Sequence, residues 1–422
     1  MKEREEVAEL EVERIGAQGD GVARWRGEPV YLPFTLPGER VRARLGLRRG
    51  GGRDGRVVET LAPEIRHAAP KCPHFGRCGG CALQHLEAEC YARFKRGLLQ
   101  AALRRAGIDP AVVAPLRQVP PLRRRVRVGI SRPRAEPTPA RVGFRTRFRH
   151  ELVDVAHCAV VEPALLAVIH ELRRAAAALL AAGEAADASL CRTDSGIDLL
   201  FEAAAPPTLP ALEALARLAD DKDLARIVWR AREGDIPVIE RHPVRVSLSG
   251  VPVAMPPGAF LQASEEAERL LVAEVVAGIG ARRPALDLYA GLGTFAFALS
   301  RTGPVHAVEG DAEAAAALAR AAAAVAGVTA ERRDLARNPL PPAALAPYIA
   351  AVFDPPRAGA MGQAAALAAS SLETVVAISC NPASFARDAR ILVDGGFRLV
   401  RAQPIDQFVW STHLEIAAVF AR

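Results

Sequence analysis

The sequence contains no uninterrupted apolar run of roughly 18 residues, the length needed to span a bilayer, although 50% of its 422 residues are hydrophobic. A membrane-spanning chain is therefore not expected. Its N-terminus, MKEREEVAELEVERIG, begins charged and lacks an apolar stretch ending in a small-residue cleavage site, so no secretory signal is expected and the chain reads as cytoplasmic. Cysteines are few and odd in number, 7 in all. In a chain without an export signal that argues against a disulfide framework and for metal binding or catalysis. Internal repeats and a low-complexity tail are also lacking.

What is present is positive charge. The formal net charge is +7 with an isoelectric point near 9.3, and arginines cluster in RVRARLGLRRGGGRDGR (40–56), LRRRVRVGISRPR (122–134) and RVGFRTRFRH (141–150). A composition rich in Ala, Arg, Gly and Pro can reflect coding bias alone, but concentration in one half of the chain favours a phosphate-bearing partner. At this length a single core is too small a solution, and two or three domains are expected.

Three textures divide the chain. Residues 1–62 read as short strands between Gly and Pro turns, the pattern of a small barrel. Residues 63–245 combine a Pro, Gly, His and Cys segment with a helix over 83–106 that stops at Gly107 and could pack on the catalytic domain. Strands and one alanine-rich helix near 163–182 follow, so this part reads as an α+β middle domain. From 246 to 422 strands alternate with helices, which implies a mostly parallel α/β sheet covered on both faces.

In this last part Asp287-Leu288-Tyr289-Ala290-Gly291-Leu292-Gly293-Thr294 joins an apolar strand to an apolar helix. Glycines at such a turn let the backbone approach a ligand, and the next strand, VHAVEGD, ends in Glu309, where an acid can accept from ribose hydroxyls. Together they indicate an adenosine-type cofactor. The fingerprint G-x-G-x-x-G is missing, which disfavours NAD. The pattern resembles class I methyltransferases that use S-adenosylmethionine. That resemblance places Asp334 near the adenine, whereas as a residue it could equally cap the turn before Leu335.

Two further strand ends carry VFDPPRAG, with Asp354 and Arg357, and AISCNPASFARD, with Cys380. A cysteine at the mouth of a parallel sheet, just before a helix, stands where helix amides can stabilise a thiolate, although most such cysteines are inert core residues. A thiolate adding to carbon 6 of uracil makes carbon 5 nucleophilic toward a sulfonium methyl, and a base must then remove the carbon 5 proton. Glu415, a carboxylate entering the apolar strand THLEIAAVF, is the candidate base, with a solvent-facing carboxylate the bland alternative.

SCNPASFARD, DPPRAG, the C-terminal HLE and PPGAFLQAS (Pro257, Phe260, Gln262) together resemble the bacterial uracil-5 RNA methyltransferase family over nearly the whole chain. The resemblance implies Cys380 as nucleophile and Glu415 as base. It also implies Gln262 and Asp354 at the methionine and uracil end, and Tyr289, Thr294, Glu309 and Asp334 as cofactor contacts. It further implies a Rossmann-like catalytic domain with an N-terminal TRAM barrel of OB type. Trp410-Ser411-Thr412 departs from the His-Thr pair common in the family, which puts local RNA contacts in doubt but not Glu415.

Cys72, Cys78 and Cys81 form a C-x5-C-x2-C array suited to an iron-sulfur cluster or zinc. Cys90 and Cys158 are both available as a fourth ligand; the resemblance selects Cys158 and a 4Fe-4S cluster. On the RNA side, Trp25, Tyr31 and Phe34 are candidate stacking residues or barrel core, and Arg123, Arg124, Arg125 and Arg127 are expected at phosphates. The expected product is 5-methyluridine in RNA. By analogy with the family, the barrel and cluster imply 23S rRNA, with tRNA as the alternative and a monomer as the default state. An amino-group methyltransferase and a non-catalytic RNA-binding factor are the competing readings. The first needs no thiol, and the second predicts loss of Glu309, Cys380 or Glu415, all of which are present.

Overall fold

The computed structural model describes residues 6–49, 51–63, 67–134, 139–147 and 151–422. The third basic run is thus described only to Arg147; Phe148, Arg149 and His150 lie outside the described residues. The chain forms two compact units, one of residues 1–98 with 410–412, the other of residues 99–409 with 413–422.

The first unit is built on a six-stranded sheet in the order Val7–Glu11, Arg40–Arg49, Gly52–Ala62, Glu28–Leu32, Gly21–Trp25, Arg14–Ile15. Its second strand shows why the sequence pleats this way. Val41, Ala43 and Leu45 are buried with Leu10, Val30 and Leu32, and the intervening arginines face outward. Those arginines are partly matched by acids of the same sheet: Arg42 reaches Glu9 at 2.9 Å, and Arg48 and Arg53 both pair with Glu28. A smaller core of Leu36, Ala82, Leu83, Leu86 and Tyr91 follows, against which Trp410 packs. The Trp410 carbonyl accepts from the Ala82 and Leu83 amides at 2.7 and 3.0 Å.

The second unit holds two sheets. One has seven strands in the order Leu152–Asp154, Arg141–Arg145, Arg125–Ser131, Ala185–Thr193, Gly196–Glu202, Leu224–Ala231, Gly234–Glu240. It is antiparallel except where Gly196–Glu202 runs beside Leu224–Ala231. Helices Pro163–Leu179 and Leu209–Lys222 accompany it. The second helix has an Ala- and Leu-rich sequence, and its Thr208 cap accepts from the Ala211 amide.

The other sheet has eight strands in the order Val328–Arg332, Val305–Glu309, Ala285–Leu288, Ala350–Phe353, Thr374–Ser379, Glu415–Ala421, Arg398–Asp406, Arg117–Gln118. The first five are parallel, and Glu415–Ala421 runs antiparallel to both its neighbours. Three strands, Ala285–Leu288, Ala350–Phe353 and Thr374–Ser379, are buried along their whole length, which explains why they read as continuous apolar runs. Chain order reverses on either side of Ala285–Leu288, so the cleft beyond its carboxyl end is where such sheets hold ligands. The end of helix Ala88–Arg105 contributes to this core: Leu99, Ala102 and Leu103 are buried with Phe385, Leu392 and Phe420. Among the described residues no helix is long and apolar enough to cross a membrane.

Candidate active site

The cleft is assembled from consecutive strand ends. Tyr289 and the glycine turn follow Ala285–Leu288, Glu309 ends the strand on one side, and Asp354 follows the strand on the other. Cys380 follows Ser379, which pairs with Ile416, so Cys380 and Glu415 stand at adjoining ends of two antiparallel neighbours. One sheet edge therefore carries the glycine turn, Asp354, Cys380 and Glu415.

The turn is held open for a ligand. Gly293 has φ +98°, and a Cβ there would lie 2.5 Å from Phe297 and 2.8 Å from Leu318, whereas at Gly291 (φ +56°) a Cβ would meet nothing within 4 Å. Gly293 is thus required by packing and Gly291 lines open space. Glu309 accepts the Gly291 amide on one oxygen and the Asp311 amide on the other, both at 2.7 Å. Each oxygen keeps a second lone pair for a ribose hydroxyl. Thr294 begins the helix Thr294–Leu299 and is half-buried. The Tyr289 hydroxyl and both oxygens of Asp287 are buried without a hydrogen-bond partner in the protein. Burial pushes Asp287 up to about 8, with Asp354 and Glu309 adding to the rise, and burial pushes Tyr289 up to about 12. Orphaned polar atoms around an open glycine turn are what an incoming polar ligand would satisfy. Asp334 caps its own turn: its Oδ1 accepts from Ala336 at 3.0 Å, and the side chain is exposed beside Arg337.

The reacting end is a cluster of groups whose charged forms are all disfavoured. Burial raises the Cys380 thiol to about 11, with Glu415 and Asp354 adding to the rise and Arg357 opposing it. The expected thiolate stabilisation at the helix N-terminus is outweighed by burial and two neighbouring carboxyls. Glu415, 3% exposed, is raised to about 8 by burial and then by Asp354. Asp354 is raised to about 7 by burial and Glu309. A thiol and a base that share one environment can exchange charge at little cost in net charge. Asn381 caps the helix Pro382–Asp394 by accepting from the Ala383 amide at 3.1 Å, with Pro382 in the favoured first position.

Gln262 is buried, and its backbone carbonyl accepts from Arg124 Nε at 3.1 Å. Its side chain meets Gln407, a buried residue that sequence reasoning missed because the two glutamines of QPIDQFVW form no motif. Phe260 is exposed, with the Arg125 guanidinium 4.5 Å from its ring centroid.

The arginine expectation needs correction at one position. Arg124 is 6% exposed and pairs with Glu268 at 2.6 Å, so it is a structural ion pair and not a phosphate contact. Arg127 is exposed, although Asp187 and Glu202 share it. Arg123 and Arg125 are half-buried. Trp25 packs against the barrel core with Arg26 over its ring, Tyr31 is half-buried, and Phe34 packs on Phe75 at 4.9 Å.

The cluster expectation is not supported. Cys72, Cys78 and Cys81 belong to the first unit and Cys158 to the second. Among the described residues no group of three or more His, Cys, Asp or Glu side chains is placed to hold a metal ion. Within the loop, Cys72 donates its amide to Gln84 at 3.0 Å, and Cys78 Sγ accepts from the Gly80 amide at 3.5 Å.

A doubly wound sheet with this strand order, an open glycine turn at the reversal and a cysteine at the adjoining strand end defines a group-transfer enzyme of the α/β methyltransferase class. Its particular kind follows from comparison with known proteins. Residues 331–422 match the family described as tRNA (Uracil-5-)-methyltransferase, and residues 2–45 match the TRAM domain. An uncharacterized RNA methyltransferase of Brucella suis is 42% identical over 419 residues, 99% of this chain and 98% of the relative. The 23S rRNA (uracil(1939)-C(5))-methyltransferase RlmD of Chromohalobacter salexigens is 35% identical, covering 98% and 89%. The crystal structure of the Pyrococcus abyssi tRNA (uracil-54, C5)-methyltransferase with S-adenosyl-L-homocysteine shares the fold, with TM-score 0.73 at 21% identity and coverage of 98% and 100%. The chain belongs to the RNA uracil-5 methyltransferase family.

Proposed function

We propose that this chain methylates carbon 5 of a uridine in RNA, with Cys380 as nucleophile, Glu415 as base and S-adenosylmethionine as methyl donor. The observation that carries the reading is the single sheet edge on which Cys380, Glu415 and Asp354 stand beside the open turn of Tyr289, Gly291 and Glu309. S-adenosylmethionine supplies an electrophilic methyl group. Tyr289, Thr294 and Glu309 would hold it, and the unpartnered Tyr289 hydroxyl and Asp287 carboxyl fit a polar ligand there. Asp334 caps its turn through Oδ1 alone, so its second oxygen would serve the adenine end.

The Cys380 sulfur forms a bond to carbon 6 and gives up its proton, which the nearby carboxyls, raised toward neutrality, are suited to receive. Electron density moves to carbon 5, which takes the methyl group as S-adenosylhomocysteine leaves. Glu415 then removes the carbon 5 proton, the carbon 6 to sulfur bond breaks, and the thiolate is regenerated with the ring double bond. A carboxyl near 8 suits this step, since it can hold and release a proton close to neutral pH.

For the substrate we favour 23S rRNA, because a relative named for that activity is 35% identical across 98% of this chain. The tRNA enzyme of similar fold, at 21% identity, argues for architecture only. Two experiments test the reading. RNA containing 5-fluorouridine at the target should be trapped covalently by the native enzyme and not by Cys380→Ala. Mapping 5-methyluridine in RNA from a strain lacking the gene should show a site lost from 23S rRNA; a site lost from tRNA instead would replace the substrate and keep the chemistry.

A further inference from the structure

Gln407 makes three hydrogen bonds from a buried position, and their directions can be fixed without choice. The Ala263 amide can only donate, so the Gln407 atom that receives it at 3.1 Å is Oε1. That leaves the Gln407 amide nitrogen to donate, and it does so twice, to Gln262 Oε1 at 3.0 Å and to Glu415 Oε2. Because Gln262 receives on its oxygen, its own orientation is fixed in turn, with Nε2 left as a donor. The loop that starts this chain of bonds is itself anchored. Arg124 donates Nε to the Gln262 carbonyl at 3.1 Å and its amide to the Ala263 carbonyl at 3.0 Å, and its guanidinium is held by Glu268.

We infer that Gln407 is a positioning residue that sets two groups at once: it presents Gln262 as a donor to a pyrimidine carbonyl, and it holds Glu415 by Oε2 so that Oε1 is the oxygen that takes the carbon 5 proton. This rests on the reading of Cys380 and Glu415 given above. A donor at Gln262 suits uracil, whose carbon 4 carries an acceptor oxygen, and opposes cytosine, whose carbon 4 carries an amino donor. A mobile Gln407 would lose both effects together, since one amide group makes both bonds.

The bond from Gln407 also lowers the proton affinity of Glu415, against burial and the Asp354 carboxyl, which raise it. Cys380 is the other titratable group bearing on this pair. Removing the donor therefore makes Glu415 a weaker acid and slows its release of the proton between turnovers.

The test compares Gln407→Met, which keeps length and burial but makes none of the three bonds, with native enzyme and Cys380→Ala on one RNA containing the target uridine. Expected for Gln407→Met are a fall in kcat of about tenfold or more with KM for RNA changed less than about threefold. A denaturation-resistant enzyme–RNA adduct should build up on unmodified uridine, because elimination is slowed more than addition. Its pH optimum should move upward. Turnover within about threefold of native, or a loss of turnover with no adduct in a protein of native thermal stability, overturns the inference. Should Gln407→Met fail to fold, Gln407→Glu decides: it still accepts from Ala263 but shares a proton with Glu415, so its activity should fall with pH above neutrality where the native activity rises. A native-like profile in that variant overturns the inference. Activity retained by Cys380→Ala would instead remove the covalent reading on which it stands.

Discussion

Asn381 donates its side-chain nitrogen to the carbonyl of Arg357 at 3.2 Å, tying the turn after Cys380 to the loop after Asp354. Ser384 Oγ reaches the same carbonyl at 3.0 Å, Arg387 reaches the Ala358 carbonyl at 2.9 Å, and the Ala360 amide donates to Asp388 at 2.8 Å. One helix thus clamps the loop that carries Asp354, and the same residue that caps the helix begins the clamp. The two roles of Asn381 can be separated. Asn381→Ala removes cap and tie and should cost about 1 kcal/mol or more by denaturant unfolding. Asn381→Asp keeps an acceptor for Ala383 but cannot donate to Arg357, so it should be nearly as stable as native while kcat falls. Equal losses of stability in the two variants would show that the tie matters only to folding.

The thiol carries a second prediction. Glu415 and Asp354 both raise the Cys380 pKa, after burial itself. Glu415→Gln removes one of the two charges, so the thiol pKa should drop and the thiolate fraction at pH 8 should rise a few-fold. Iodoacetamide should then alkylate Cys380 faster in the variant, even though the variant cannot complete turnover and should retain the RNA adduct. A slower alkylation would mean that Glu415 acts on Cys380 chiefly as a proton acceptor.

The arginine strand Arg125–Ser131 and its approach offer a third. Arg124→Ala leaves Glu268 buried without its cation and should destabilise the fold by about 3 kcal/mol, as read by denaturant midpoint. Arg127→Ala should leave stability nearly unchanged. If Arg127 meets a phosphate when RNA binds, the slope of log affinity against log salt should shrink by about 1. An unchanged slope would assign Arg127 wholly to Asp187 and Glu202.

Much of the site was legible because its chemistry sits at strand ends. Cys380, Asp354 and Glu309 each close an apolar run, and an α/β sheet sends such positions to one edge, so the motifs could be assembled before any coordinates. The alternation of strands and helices after residue 246 was also visible, since strand and helix periods differ, whereas the division into two compact units near residue 98 was not. What stayed hidden depends on partners remote in sequence. Arg124 stands in a run of three arginines and alternates with its neighbours, so only its meeting with Glu268 shows that it is buried. Gln407 looks like any polar residue before a strand until Ala263 and Gln262, more than a hundred residues earlier in the chain, are brought to it. Strand Ala185–Thr193 and helix Leu209–Lys222 were missed because alanine-rich stretches give little periodic contrast.

Asp287 supplies the last prediction. It is fully buried at the root of the glycine turn, with its pKa raised to about 8. A carboxyl in the unfolded chain titrates near 4, roughly, so between that pH and about 8 the folded protein holds a proton there that the unfolded chain has released. Its contribution to stability is complete below the unfolded value and is lost progressively as pH rises toward the folded one. Asp287→Asn has no such proton to lose. Its stability relative to native should be small in difference at pH 4 and grow steadily more favourable up to pH 8, then level off. S-adenosylmethionine binding should weaken in the same variant if the ionised carboxyl is what the donor's positive charge meets. Urea unfolding of both proteins across pH 4 to 9, with and without the donor, checks both statements. A difference independent of pH would mean that Asp287 is ionised in the folded protein and finds its compensation within the turn.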